Sequence, residues 1–556
     1  MYSIKLILLT ISVYFLLLNI SCANSIALAD KNTSDRILQP SSSEVSRKNE
    51  QVQSLIKQRR SEGKDVSEVI PIIKQSKIAM QKGDSEKALG LLDKAIALLE
   101  GKDSISNKTD VHAKDEQVQP VTIEINVESE KVEVIEAVPD FKTGKDVKSY
   151  GSGFKTYQMN AENGKVTLKV SSIPLFIKEI KDEKSSDKSK TIFSSNKISS
   201  FGLLGVDRFE PSLIDIGADW VRYSGPPGLI WDAVEPKKGE FNWSKLDTIY
   251  NATHQNGISM LVNVITFNNW DQGIRRGDER RKPGGKLVKN IEAYQSFLEK
   301  AVKRYPFIDA WQIENEPNLP FYWNDTPENY LVLLKASYDV IKRVNPNALV
   351  VIGGISDPLS LNRGFWSEVF QYLEKKAGKE RYFDVFDCHW FLHMEKSSES
   401  IVQLTDYIKD VRQKLDRIGY ADVPIWITEM ASHSGNPTHG RFQLQENSEN
   451  QQASELVKLY VHALNLGVSK IFWVGLTEWH GFGKKANTYF DNTGLINNPD
   501  NDGESHKKLA YYSYKKLTET LKGFHWQDIK TVNIEKNVRA YKFSKNGQTI
   551  YIIWSE

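Results

Sequence analysis

Changes in the hydrophobic period divide the chain. Residues 1–29, MYSIKLILLTISVYFLLLNISCANSIALA, form one apolar run behind a single early lysine. Between 46 and 100 the apolar positions take helical spacing. In DSEKALGLLDKAIALLE, Ala88, Leu91, Leu92, Ala95, Leu98 and Leu99 fall on one face. Residues 101–120 carry almost no apolar side chains and read as a linker, so 30–120 is a helical hairpin region with its linker. From 121 to 180 the period is two, in VTIEINVE, VEVIEAV and KVTLKVSSIPLFIKEI. A second polar linker, rich in Lys and Ser, covers 181–198.

From 199 to 522 apolar strands alternate with helical segments. The strands are 201–206, 219–223, 258–264, 307–313, 348–354, 382–388, 423–428 and 469–475; helices such as 291–304 and 449–466 lie between them. Eight such repeats predict an α/β fold, a (β/α)8 TIM barrel. A doubly wound open sheet is disfavoured because no Gly-rich phosphate loop follows the first strand. Period two returns in 523–556, where Lys545-Asn546-Gly547-Gln548 marks a hairpin and TIYIIWSE reads as a central strand. The segment 121–180 has too few strands for a sheet, and 523–556 has fewer. The two are expected to complete one accessory β-sandwich, as if the order had been permuted.

Composition narrows the function. Lys+Arg (73) nearly balances Asp+Glu (71), so no global field points to nucleic acid or an anionic membrane. The N-terminal run reads as a secretory signal, cleaved after Ala27-Leu28-Ala29. Lipidation of Cys22 behind Asn19-Ile20-Ser21 is the alternative and would be the route to a membrane, with a retained anchor as the third reading. Export to the periplasm, envelope or exterior follows. The only cysteines are Cys22 and Cys388, so cleavage leaves one thiol and no intrachain disulfide. The helical region 46–100 is a spacer or a cap, or else a surface for a protein partner.

The candidate chemistry lies at the strand ends. WQIENEPN (311–318) ends the fourth strand in Glu314-Asn315-Glu316-Pro317, and the seventh ends Thr428-Glu429-Met430. In a TIM barrel both ends open on the catalytic rim. Two opposed carboxylates suit glycosidic cleavage: one gives a proton to the leaving oxygen, and the other attacks or activates water. Glu314 is left to a sugar hydroxyl or to a rim Lys or Arg. No His/Asp/Glu cluster has metal-ligand spacing, and neither a metal nor a cofactor is expected.

Asn-Glu-Pro on strand four with Glu on strand seven resembles clan A of the glycoside hydrolases. The resemblance extends over 201–520. Trp220-Val221-Arg222 resembles the clan's buried arginine, and WDAVEPKKGEFNWSKLD (231–247) resembles the segment after strand two in family 10, 39 and 42-like members. Family 39-like β-glycosidases and family 5 are nearest, and they too carry a β-sandwich beside the barrel. The resemblance implies a retaining β-glycosidase with Glu316 as acid/base and Glu429 as nucleophile. Arg222 and a hydrogen bond from His389 would hold Glu429. Asn315 would bond the sugar 2-hydroxyl, and Trp473 would stack beneath the ring. Glu478, Trp479, Asn268 and Trp270 are candidates for the cleft and its outer subsites. The basic run 275–286 reads as a solvated loop. A carbohydrate is the expected partner. The reading from a different class is a non-catalytic carbohydrate-binding or envelope polysaccharide assembly protein on a hydrolase scaffold.

Overall fold

The computed structural model describes residues 42–62, 66, 69, 72–73, 76, 85–100, 120–137, 153–181, 199–205, 209–223, 228–273, 285–376, 379–392, 397–439, 442–478, 487–498 and 505–556. The N-terminal apolar run read as a signal, with Cys22, most of 101–120 and 181–198, nearly all of the basic run and Trp479 lie outside these residues. The chain divides into two units, 1–110 and 111–556.

In the first unit, helices α1 (Ser42–Ser61) and α2 (Ser85–Glu100) share a small core. Ala88, Leu92, Ala95 and Leu99 of α2 are buried with Val45, Val52 and Ile56 of α1, which is the face the spacing predicted. Among the described residues no helix is long and apolar enough to cross a membrane.

The second unit begins with β1 (Val121–Asn126), β2 (Lys131–Ala137), β3 (Phe154–Asn160), β4 (Lys165–Val170) and β5 (Leu175–Ile180). It ends with β17 (Ile529–Thr531), β18 (Val538–Lys545) and β19 (Gln548–Ser555). These form one antiparallel sheet of order β17-β18-β19-β5-β2-β3, with β1 and β4 paired as a separate ribbon. The join is β19 against β5, with Ile550 opposite Lys178 and Ile553 opposite Leu175. The alternating residues divide between two faces. Val132, Val134, Ile177, Ala540 and Ile553 pack on Ile123, Ile125, Val166 and Leu168 of the ribbon. Ile135, Phe176, Phe543, Ile552 and Trp554 belong to the barrel's core. Both faces of β19 are covered, so TIYIIWS is continuously apolar.

The barrel strands are β6 (Phe201–Leu204), β7 (Trp220–Tyr223), β9 (Ser259–Ile265), β10 (Ala310–Ile313), β11 (Leu349–Val351), β12 (Phe386–Phe391), β13 (Ile425–Ala431) and β16 (Val468–Val474). They run parallel in that order, and a short β8 (Leu229–Ile230) joins β9 outside the ring. The ring closes where Val351 bridges Val385 and Ile355 bridges Cys388. Helices α3 (Ser244–Gln255), α4 (Ile291–Arg304), α5 (Pro327–Val344), α6 (Gly364–Lys375), α7 (Ser397–Arg417), α8 (Glu449–Asn465) and α9 (Leu509–Leu521) lie between or after the strands. Local chemistry starts them: on α5 the Thr326 side chain accepts from Asn329 N, and Pro327 takes the first turn. A ribbon of β14 (Thr438–His439) and β15 (Phe442–Gln443) follows β13.

Parity sets what fills the barrel. Trp220, Leu261, Ala310, Val351, Val385, Trp426 and Phe472 form one apolar cluster drawn from seven strands. Two residues further along the same strands stand Arg222, Asn263, Gln312, Gly353, Asp387, Thr428 and Val474. A polar floor therefore lies directly above an apolar one. Below the apolar floor Lys470 is buried, its ammonium 4.1 Å from the Trp220 ring and 5.3 Å from that of Trp426.

Candidate active site

The end of β10 turns sharply. Glu314 (φ 61°) and Glu316 (φ 42°) both take left-handed backbone, uncommon outside glycine. Glu314 is fully buried. Its carboxylate accepts from the Thr266 amide at 2.8 Å and from the Thr266 hydroxyl, and its carbonyl accepts from Asn263 Nδ2 at 2.9 Å. It ties the end of β10 to that of β9.

Arg222 is also fully buried and spends its guanidinium on three acceptors. Nε donates to Gln312 Oε1 at 2.8 Å, Nη1 to Glu429 Oε1 at 2.6 Å and Nη2 to Asn315 Oδ1 at 2.7 Å. The last contact fixes the Asn315 amide with its NH2 group turned away from the arginine. On β13 simple alternation from Trp426 would aim Thr428 inward and Glu429 outward. The register shifts here: Cys388 pairs with Ile427 and the next residue, His389, pairs with Glu429. The extra residue is a bulge, which re-aims side chains at strand ends and brings Glu429 to Arg222.

His389 departs from its expected contact. Its Nδ1 is hydrogen-bonded to Glu316 Oε1 at 2.7 Å, whereas Glu429 Oε1 stands 3.7 Å from Nε2, outside hydrogen-bond range. Nε2 lies 3.3 Å from the Thr428 hydroxyl and 3.6 Å from Asp387 Oδ2. Burial alone would lower the imidazole pKa. Glu429, Asp387 and Glu316 outweigh it and raise the value to about 10, so His389 is cationic at neutral pH. One oxygen each of Glu316 and Glu429 and one ring nitrogen of His389 lie within 4.8 Å of one another. A divalent ion would fit such a set by ligand type, but a guanidinium and an imidazolium already neutralise it. Only the carboxylates reach solvent, with side chains 12% and 13% exposed against 0% for Arg222 and His389.

Tyr322 completes the cluster and was not anticipated. Burial and the nearby charges of Glu316 and Glu429 push its phenol pKa up. It arrives on the turn after Glu316, where Leu319 N donates to Glu316 O and Tyr322 N to Leu319 O. Nothing in the spacing of LPFYWN marks it.

Other candidates serve the framework instead. Trp473 is fully buried, stacks on Tyr460 at 6.4 Å and donates from Nε1 to the Thr493 carbonyl at 2.9 Å. Phe472 faces the lumen, so Trp473 must face the helices, and a floor beneath a sugar is excluded. The inward position above Phe472 is Val474, packed with Leu204, Ala431, Leu444 and Tyr489. Asn268 is fully buried and caps the turn Asn269–Gln272, accepting from Trp270 N at 3.0 Å and Asp271 N at 3.2 Å and donating to Glu235 O at 3.1 Å. Such a cap leaves no outer-subsite role. Trp270 is half-buried, edge-on to Trp231, with its indole N–H on Glu235 O at 2.9 Å. Glu478 is buried in an ion pair with Lys508 at 2.7 Å and accepts from Asn498 N at 3.2 Å.

Residues 214–475 match the family model described as Cellulase (glycosyl hydrolase family 5). No curated protein matches the chain. Among solved structures, a family 39 glycoside hydrolase from the gut symbiont Bacteroides cellulosilyticus WH2 has a TM-score of 0.51 at 18% identity, over 78% of this chain and 87% of that one. A glucosidase from Croceicoccus marinus gives 0.45 at 14% identity, covering 62% and 75%. A monomeric beta-xylosidase from Caulobacter crescentus CB15 gives 0.43 at 14%, covering 63% and 77%. The first of these likenesses speaks for the fold; the family match speaks for the chemistry. With Glu316 and Glu429 set against each other at the mouth of this TIM barrel, the chain is similar over residues 214–475 to the glycosyl hydrolases of family 5.

Proposed function

We propose that the chain is an exported β-glycosidase or glycanase that cleaves an oligo- or polysaccharide with retention of configuration. The observation that carries this reading is the spacing of the two carboxylates, whose nearest oxygens lie within 4.8 Å. Retaining enzymes hold the pair about 5–5.5 Å apart, whereas inverting ones leave about 6.5–9.5 Å for a water. Glu429 attacks the anomeric carbon as the glycosidic C–O bond breaks, and Glu316 gives its proton to the departing oxygen. Water then enters, Glu316 takes its proton, and the bond to Glu429 breaks. Arg222 keeps Glu429 aimed through the charge-assisted 2.6 Å contact. Asn315, held by the same guanidinium, offers its NH2 group to the sugar 2-hydroxyl. Export rests on the lysine-led apolar run before Ala29.

The test is hydrolysis of a panel of polysaccharides and aryl β-glycosides by wild type beside Glu429→Gln, with the first-formed anomer read by NMR. Release of the β-anomer by wild type alone supports the proposal. Release of the α-anomer, or equal release by both proteins, overturns it.

A further inference from the structure

Asp387 is the one ionisable member of the polar floor that the reaction leaves unused. It is fully buried, two residues before His389 on β12. Its carboxylate accepts from the Thr428 amide at 3.0 Å, the Thr428 hydroxyl at 2.7 Å and Gln312 Nε2 at 2.5 Å. Gln312 in turn accepts from Arg222 at 2.8 Å. A buried chain of contacts thus runs Glu429–Arg222–Gln312–Asp387–Thr428–His389–Glu316.

The direction of each bond matters. The Thr428 hydroxyl spends its hydrogen on Asp387, so towards His389 Nε2 at 3.3 Å it offers only lone pairs. Nε2 therefore carries a hydrogen. Nδ1, at 2.7 Å from Glu316 Oε1, carries the other in the charged ring. The groups facing the ring are Glu316 from the β10 turn, Glu429 and Thr428 from β13, and Asp387 on its own strand. The segment that follows β11 makes room. A Cβ on Gly354 would run into the His389 ring and come within 2.7 Å of Asp387 Oδ2, so only glycine fits there.

We propose that Asp387 is a positioning residue for the acid/base arm: with Thr428 it keeps His389 charged and aimed, so that Nδ1–H pins Glu316 Oε1 and leaves Oε2 to face the glycosidic oxygen. This inference rests on Glu316 being the acid/base. A neutral or rotated imidazole frees the Glu316 carboxyl to turn, and proton delivery suffers while attack by Glu429 does not.

The experiment is Asp387→Asn in the full chain, with two readouts. The first is the His389 imidazole nitrogen shift in 15N-histidine-labelled protein across pH 6–11, assigned by its loss in His389→Gln. Wild type is expected to stay doubly protonated past pH 8, and the variant to lose the second proton at lower pH. The second is leaving-group dependence. Cleavage of an alkyl or sugar β-glycoside should fall about 10²-fold, the lower end for general-acid catalysis. A 2,4-dinitrophenyl glycoside, which departs without a proton, should slow no more than about threefold on the same argument. An unchanged His389 titration, or equal slowing of both substrates, overturns the proposal. If wild type cleaves no glycoside the proposed function fails, and the titration decides Asp387 by itself. Should Asp387→Asn not fold, Gly354→Ala displaces the same ring and must give the same pair of signatures.

Discussion

Two residues apart on the same strands, Trp220 and Arg222, Ala310 and Gln312, Val385 and Asp387, and Trp426 and Thr428 line adjacent floors of one lumen. On the upper floor buried charges meet opposite charges: Arg222 meets Glu429, and His389 lies among Glu316, Glu429 and Asp387. There the partners outweigh desolvation, and the imidazole is raised to about 10. Beneath the lower floor Lys470 faces two indole rings and the Ser199 carbonyl. Desolvation wins at that position, lowering the amine to about 7 against the pull of Asp219 and Asp309. The same degree of burial gives opposite outcomes because the carboxylates around His389 together exceed the cost of desolvation, whereas the pull of Asp219 and Asp309 on Lys470 does not. Charge is kept where chemistry uses it.

The comparison breaks most visibly at the upper floor. Glu429→Gln should lower kcat by about 10⁴-fold or more, in line with removal of a covalent nucleophile. Arg222→Lys keeps the charge but not the three-acceptor fork. It should cost roughly 10²–10³ in kcat/KM on aryl glycosides, the size seen for one lost charge-stabilising donor. Lys470→Met, below, should leave kcat/KM within about twofold, because it lies outside the contacts that set the site.

The two floors should also pull stability in opposite directions with pH. The His389 pKa is raised from 6.5 to about 10 on folding, so its contribution is complete below pH 6.5 and lost as pH rises to 10. The Lys470 pKa falls from 10.5 to about 7. The unfolded chain then holds the extra proton, and stability is gained as pH rises over that window. Urea unfolding from pH 7 to 10 should thus decline more steeply in Lys470→Met than in wild type, and less steeply in His389→Gln. Equal slopes for all three would remove the contrast. The smallest expected effect is at the outward wall. Trp473→Phe leaves a small cavity and loses one hydrogen bond to Thr493, costing about 1–3 kcal/mol by thermal unfolding with kcat unchanged.

Much of this was legible in the sequence. The strand ends NEP and ITE are visible as polar breaks in apolar runs, and Arg222 is visible as a charge inside WVRY. Strand parity was not. SKIFWVG is buried on both faces, so it shows no alternation from which to choose between Phe472, Trp473 and Val474. Glu429 reaches the mouth through a bulge that ITEM does not announce. Asn268 looked like a free polar group at a rim. Its position one residue before a short helical turn is the usual place of an N-cap, and that signal outranked the other. His389 was correctly drawn to the carboxylates. Which of them it touches depends on the left-handed turn at Glu316, a feature of backbone rather than composition.

The central claim is that Glu429 forms a covalent bond to the sugar. The direct measurement is mass spectrometry of the protein after reaction with a 2-deoxy-2-fluoro β-glycoside carrying a good leaving group, which slows release of the intermediate. One sugar attached to the peptide that contains Glu429 is the predicted result. A label on another residue, or turnover of ordinary glycosides with no label on any peptide, would contradict it.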